Sequence, residues 1–318
     1  MIDTPARRFR WWHEVVLAIL LIVLMIAASS VMPNFVSVKS QLILSKHLWE
    51  IAILALGMTL IIITGGIDLS VGSAMGMCAV AFGITFSKTE NLAVSCAACL
   101  IVGFVGGATN GLLISKLKLH PLIVTLATYA AFRGVAEGVS QGRSYSQFGS
   151  GFGQLARGTL LGFPLPGFIF GAFAIVFAVV LAKTPWGRFI YAIGHNERAA
   201  QFSGVAVDRI KLFLYTTSGV LAGLATLVYI SRFDTAKADA GVGYELDVIT
   251  AVVIGGTSIF GGRGNITGTV LGLFLIHETK LFVGRYWRID ELKSVLVGML
   301  LILSILVYRV LTPKEDES

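Results

Sequence analysis

A chain of 318 residues in which 55% are hydrophobic and only 14% charged, with a net charge of +7 and a mean hydropathy of +0.82, is not composed like a water-soluble protein. Soluble domains carry about 25% charged residues, so polar surface is too scarce here to cover the chain in water, which excludes a cytosolic enzyme and a disordered chain. The 25 Lys and Arg against 18 Asp and Glu form no basic stripe interleaved with aromatics, so nucleic acid is not an expected partner.

A membrane-crossing helix takes about 20 mostly apolar residues. Runs of that kind lie at 15–32, 48–64, 72–87, 92–115 and 121–138, and again at 162–182, 212–231, 247–260, 268–283 and 292–310. The expected fold is all-α: one transmembrane domain over 1–318, a bundle of about ten helices with eight to ten complete spans. The runs 72–87 and 247–260 are short and glycine-rich, which predicts tilted, broken or re-entrant segments. The opening run reads as a span and not as a cleaved signal peptide, because it is long and nine more runs follow it.

Orientation follows from the placement of Lys and Arg. Arg7, Arg8 and Arg10 lie in a tail, 1–14, ahead of the first run, and Lys183, Arg188, Arg198, Arg209 and Lys211 fall in the connection 183–211. With ten spans, both of these segments, and the tail 311–318, lie on the cytoplasmic side. Arg285, Arg288 and Lys293 run against this pattern. The expectation is a multi-pass protein with both termini inside.

Cys78, Cys96 and Cys99 sit within apolar runs and share no metal-ligand spacing with a histidine. They read as small hydrophobes, and neither a metal nor a cofactor is expected. Many of the 36 glycines recur at four-residue spacing, as in Gly72/Gly76, Gly103/Gly107/Gly111, Gly219/Gly223 and Gly264/Gly268/Gly272. Small residues at that spacing let helices approach closely in lipid. The segments GATNGLLI (107–114) and GTVLGLFL (268–275) share a pattern and run in opposite senses across the ten spans, as in two pseudo-symmetric inverted halves.

Two stretches ask for more than packing. TGGIDLSVGS (64–73) places Gly65, Gly66, Asp68 and Ser70 between long apolar runs. GYELDVITAVVIGGTSIFGGRGNITG (243–268) carries Glu245, Asp247, Arg263 and Asn265 among repeated glycine breaks. Charged groups near the membrane interior are costly and usually face a cavity or a partner. Glycine breaks leave backbone groups that protein or water must satisfy. The residues Gly65, Gly66, Asp68, Ser70, Glu245, Asp247 and Asn265 are therefore candidates for a gate or pathway. Capping of helix N-termini by Asp68 and Asp247 is a compatible second role.

The connection 183–211 differs in kind. Helix formers follow Asn196, a capping residue type, and Gly204 terminates the pattern. A short amphipathic helix exposed at the membrane surface is expected there, as a docking element or as a helix lying on lipid. No Gly-x-x-x-x-Gly-Lys-[Ser/Thr] phosphate loop occurs, so the chain offers no ATP site of that kind. No His-Glu-x-x-His or Gly-x-Ser-x-Gly motif supports hydrolytic chemistry. No catalytic residues are assigned and no enzyme is expected.

Four segments together resemble one family: LALGMTLIIITGGIDLSVGS (54–73), GLLISKLKLHPLIVTLATYAAFRG (111–134), WGRFIYAIGHNERAAQFSGV (186–205) and GYELDVITAVVIGGTSIFGGRGNITGTVLG (243–272). The chain resembles the permease subunits of bacterial ATP-binding-cassette sugar importers of the ribose, xylose, arabinose and galactose type, a group that includes rhamnose and autoinducer-2 permeases. The resemblance implies a transport subunit in the bacterial cytoplasmic membrane that moves a monosaccharide or small polyol by alternating access. It implies cytoplasmic ATP-binding subunits, a second permease copy or paralogue, and a periplasmic or lipid-tethered sugar-binding protein as partners. It also implies that Asn196, Glu197, Arg198, Ala199, Ala200, Ser203 and Gly204 belong to a coupling helix that docks on the ATPase. His195 departs from the small or polar residue usual ahead of the Asn-Glu-Arg run. An ion-driven secondary transporter, with Asp68 or Asp247 as coupling carboxylate, is the competing expectation; an intramembrane enzyme using Asp68, Asp247 and His195 is a third.

Overall fold

The computed structural model describes residues 12–149, 151–289 and 291–311. The arginines expected to anchor the N-terminal tail, Arg7, Arg8 and Arg10, lie outside the described residues, as does most of the tail 311–318. Each of the ten apolar runs forms a helix. Helix α1 spans Trp12–Val31, α2 Val38–Leu44, α3 Trp49–Ile63, α4 Val71–Thr89, α5 Leu92–Ser115, α6 Pro121–Ser140 and the single turn α7 Gln154–Arg157. After it come α8 at Leu165–Lys183, α9 at Pro185–His195, α10 at Glu197–Phe202, α11 at Val207–Phe233, α12 at Tyr244–Ile254, α13 at Ile266–Tyr286 and α14 at Glu291–Leu311. Two small antiparallel pairs complete the fold: β1 (Tyr145–Ser146) with β4 (Thr235–Ala236), and β2 (Thr159–Leu160) with β3 (Phe163–Pro164).

Among the described residues seven helices are long and apolar enough to cross a membrane, or eight if the bent α2–α3 pair is one span. The larger count meets the lower bound of the eight to ten complete spans expected, and neither α12 nor α14 is among the spans counted. Helix α12 has only 11 residues, about 16 Å at 1.5 Å per residue, so it crosses about half of a 30 Å hydrocarbon layer. Helix α3 is preceded by a 61° bend at His47 and Leu48. The run 72–87 forms α4, a full 19-residue helix, and it is the loop before it that breaks.

Helix α3 is the central element: every residue except Ile51 is buried. It packs against α8, α11, α12 and α13. A helix apolar on all faces has no solvent side to set its direction, so surrounding helices must cover it. Helices α5 and α11 lie antiparallel at near-backbone contact. A Cβ on Gly103 would strike the Gly219 carbonyl, and one on Gly107 the Tyr215 carbonyl. Gly268 and Gly272 serve α13 in the same way against Gly255 and Ala251 near the end of α12. The four-residue glycine spacing thus acts as packing, as small residues do where lipid supplies no hydrophobic drive between helices.

The segment 234–243, between α11 and α12, is irregular: two strand residues, Thr235 and Ala236, and then successive turns that pack along α4. Gly76 meets the Ala238 carbonyl and Gly72 meets the Gly241 carbonyl. Arg133 of α6 holds this segment by donating to the carbonyls of Ala238 and Ala240 and to that of Gly72. Irregular backbone within a bundle needs such internal donors, because lipid provides none.

Candidate functional site

The glycine-rich loop 64–70 ends α3 and begins α4. Gly65 has a φ of +78°, a left-handed conformation that a side chain would strain. Gly66 faces the Tyr215 hydroxyl so closely that no Cβ fits. Asp68 is buried; its Oδ1 accepts from the Ser70 amide at 3.0 Å and the Ser70 hydroxyl at 2.6 Å, and its Oδ2 accepts from Ser218 at 3.3 Å. Asn110 of α5 donates to the Ser70 hydroxyl at 2.8 Å. Asp68 therefore stabilises the turn ahead of α4 and ties it to α5 and α11; it does not cap α4, whose N-cap is Ser70. Burying a carboxylate is tolerable only with donors of this kind.

Glu245 and Asp247 do not join this network. Glu245 lies in the first turn of α12 beside Gly72. Asp247 lies two residues further on in the same turn and accepts from Lys280 of α13 at 2.6 Å, an ion pair and not a helix cap. Asn265 takes up neither group. Its Oδ1 accepts from the Gly268 amide at 2.6 Å, capping α13, and its side-chain nitrogen donates to Glu14 of α1 at 2.7 Å. The candidates thus divide into a buried turn around Gly65, Gly66, Asp68 and Ser70, a helix start at Glu245 and Asp247, and a cap at Asn265.

Asp247 opens onto a cavity of 310 Å³ between α3, α11, α12, α13 and α14. The bend at His47 and Leu48 forms part of its wall. Arg232, Tyr244, His277, Lys280 and Lys293 supply further polar groups, and Ile51, Ala251, Leu273 and Ile276 are among the apolar ones. Behind the wall Glu50, fully buried, accepts from Arg232 Nε at 2.8 Å, and Arg232 also meets the His47 imidazole. Opposite charges therefore stand in pairs, Glu50 with Arg232 and Asp247 with Lys280. The cavity therefore offers several donors and acceptors, and Lys293 of α14 adds a further cation to its wall.

Sequence reading singles out Asp247 from this cavity and misses His47, Glu50, Arg232, Tyr244, His277 and Lys280. A signal was present: Glu50 lies inside an otherwise apolar run, and His277, Glu278 and Lys280 interrupt another. Their partners, up to 237 positions apart, are set by the fold alone.

At the other end of α12 a second exposed element takes shape. Thr184 accepts from the Gly187 amide to cap α9, whose buried face is Gly187, Ile190 and Ile193. Asn196 accepts from the Ala199 amide at 2.9 Å to cap α10. The short helix ends at Ser203, and Gly204 is left-handed at φ +83°. Glu197, Arg198, Ala199, Ser203 and Gly204 are exposed and Ala200 is buried. Lys211 donates to Glu197 at 2.6 Å, tying α10 to α11. Two features were not foreseen: α9 is a helix in its own right, and Val207–Lys211 already belong to α11 and not to the loop.

Over residues 48–305 the sequence matches the family described as branched-chain amino acid transport system / permease component. The chain belongs to this family. It is 38% identical to the ribose import permease protein RbsC of Bacillus subtilis over 296 residues, 91% of this chain and 90% of that one. Similarity to RbsC of Haemophilus influenzae is 39% over 265 residues, 81% of each chain. The autoinducer 2 import system permease protein LsrD of Escherichia coli is 33% identical over 301 residues, 93% of this chain and 91% of that one. No solved structure matches. The protein is a multi-pass membrane permease component, a part of a transport system and not an enzyme. That membership also displaces the self-sufficient ion-coupled carrier, because a permease component works within a multi-part system.

Proposed function

We propose that this chain is the membrane-spanning subunit of an ATP-driven, binding-protein-dependent importer for a monosaccharide or related small polyol in the bacterial cytoplasmic membrane. The observation that carries the reading is the match to import permeases along about nine tenths of both chains. The cavity supports it chemically. A neutral polyol needs hydrogen-bond partners, and Tyr244, His277 and the Asp247–Lys280 pair supply donors and acceptors at the cavity.

The basic connection holding α9 and α10 lies on the cytoplasmic side by the placement of Lys and Arg, with both termini there too. Asn196, Glu197, Arg198, Ala199, Ala200, Ser203 and Gly204 form the helix that meets the ATP-binding subunit. The turn at Gly65, Gly66, Asp68 and Ser70 and the start of α12 at Glu245 and Asp247 flank the pathway, and Asn265 sets the geometry of the loop between α12 and α13. The functional unit holds a second permease, two ATP-binding subunits and a sugar-binding protein outside. A loaded binding protein delivers sugar to the outward-open state. ATP binding in the partners then shifts the population of states, which a ligand can do only through differential affinity. Purification of the tagged chain from native membrane in mild detergent, followed by mass spectrometry, tests the reading. Recovery of a phosphate-loop ATPase is expected; a chain that leaves the membrane alone contradicts it.

A further inference from the structure

We propose that Tyr191 and Gly194, at the end of α9, form the joint through which movement of the α9–α10 segment reaches both glycine-rich breaks of the bundle at once. This rests on the proposed function and adds positioning residues outside the docking helix. The two breaks are loop 64–70 after α3 and loop 255–265 between α12 and α13. They are joined to each other directly, since the Gly262 amide donates to the Ile63 carbonyl at 2.8 Å. Helix α9 ends on that bond. A methyl group on Gly194 would overlap both the Ile63 carbonyl and the Gly262 amide.

Two further contacts close the joint. Tyr191 donates its hydroxyl to the Gly264 carbonyl at 2.8 Å. Gly261 packs beside the Gly194 carbonyl and the Gly65 amide. Gly65, Gly261 and Gly262 are left-handed, at φ +78°, +88° and +74°, so the loops hold a shape that other residues would strain. Three backbones thus meet without side chains between them. Side-chain rotamers cannot absorb a displacement at such a contact, and packed interiors transmit strain.

The elements on either side are suited to carry that displacement. Upstream, only Asn196, the cap of α10, separates α9 from α10, so force on α10 acts on α9 as well. Downstream, one break leads through Asp68 into α4. The other leads into α12, a short rod that carries Asp247 at the cavity. A single input therefore reaches the two segments that flank the pathway.

The test requires no knowledge of the transported sugar. A cysteine is placed at Phe260, on the second break and 76% exposed. Its rate of labelling by a membrane-impermeant maleimide is measured in the purified complete complex, nucleotide-free and after trapping with MgATP and orthovanadate. Chain lacking F260C supplies the background from the native cysteines. Trapping is expected to change the rate by about fivefold or more, the low end of ordinary coupling energies. Tyr191→Phe, which removes only the hydroxyl, should make labelling insensitive to trapping while ATP hydrolysis persists. Gly194→Ala should do the same more completely, and Gly138→Ala, a helical glycine with open space around it, should change nothing. A labelling rate that ignores trapping in the parent complex, or still responds to it in Tyr191→Phe, overturns the joint. If Gly194→Ala loses ATPase and labelling response together, Tyr191→Phe decides. Failure to recover any ATPase with the parent chain would instead count against the proposed function.

Discussion

At the residue scale, the bundle holds two interior ion pairs, Glu50 with Arg232 and Asp247 with Lys280, and they govern what substitutions at those positions do. Glu50 and Arg232 are almost wholly buried. Removing one partner of a buried pair strands the other and costs about 3–5 kcal/mol, whereas replacing both by apolar groups of similar size is often neutral. Glu50→Ala and Arg232→Ala should each lower the unfolding midpoint in detergent strongly, and the double variant E50L/R232L should recover much of that loss. Equal loss in the double variant would show that the pair does more than satisfy itself. Asp247→Asn leaves Lys280 without its counter-ion at the cavity. The cost of an unsatisfied partner is about 1–3 kcal/mol, so uptake should fall by about tenfold or more while the protein stays folded. Wild-type uptake in Asp247→Asn would remove this residue from the pathway. Asp68 and Asp247 attract attention in the sequence for the same reason, charge in an apolar setting, yet they do different work. The environment that separates them, a turn bonded to Ser70 and Ser218 against an ion pair to Lys280, comes from distant segments and has no local signature.

At the element scale, helices are legible in the sequence because each needs one long apolar run. All ten runs are helical, and the shortest, 247–260, contracts to the half-span α12. What stays hidden is how elements end. The bend before α3 falls at His47 and Leu48 with no proline or glycine to mark it, and the path of 234–243 along α4 depends on Arg133 of α6, about 100 positions away. The cap at Asn196 and the left-handed Gly204 are readable, since capping is a local rule. Helix α9 is missed because its amphipathic face is only 11 residues long. Two predictions belong to this level. Asn196→Ala should cost α10 about 1 kcal/mol and weaken recovery of the ATPase in a pull-down, whereas unchanged recovery would detach α10 from docking. Gly107→Leu should separate α5 from α11 and destabilise by about 1–3 kcal/mol or more, measured as a lower unfolding midpoint in detergent; an unchanged midpoint would refute the close packing.

At the scale of the whole molecule, one bundle carries two distinct features. One is the polar cavity at Asp247 and Lys280. The other is the exposed surface of α9 and α10 beside the glycine-rich breaks, and α12 connects the two. A permease component of this design has no phosphate loop, so its work must come from outside. The most direct test reconstitutes the chain in liposomes with its co-purified ATPase and binding protein, and follows uptake of radiolabelled D-ribose and a panel of other monosaccharides. The account predicts uptake of at least one sugar that requires ATP and the binding protein together and is indifferent to H⁺ and Na⁺ gradients. Uptake by the chain alone, driven by an ion gradient, would contradict it.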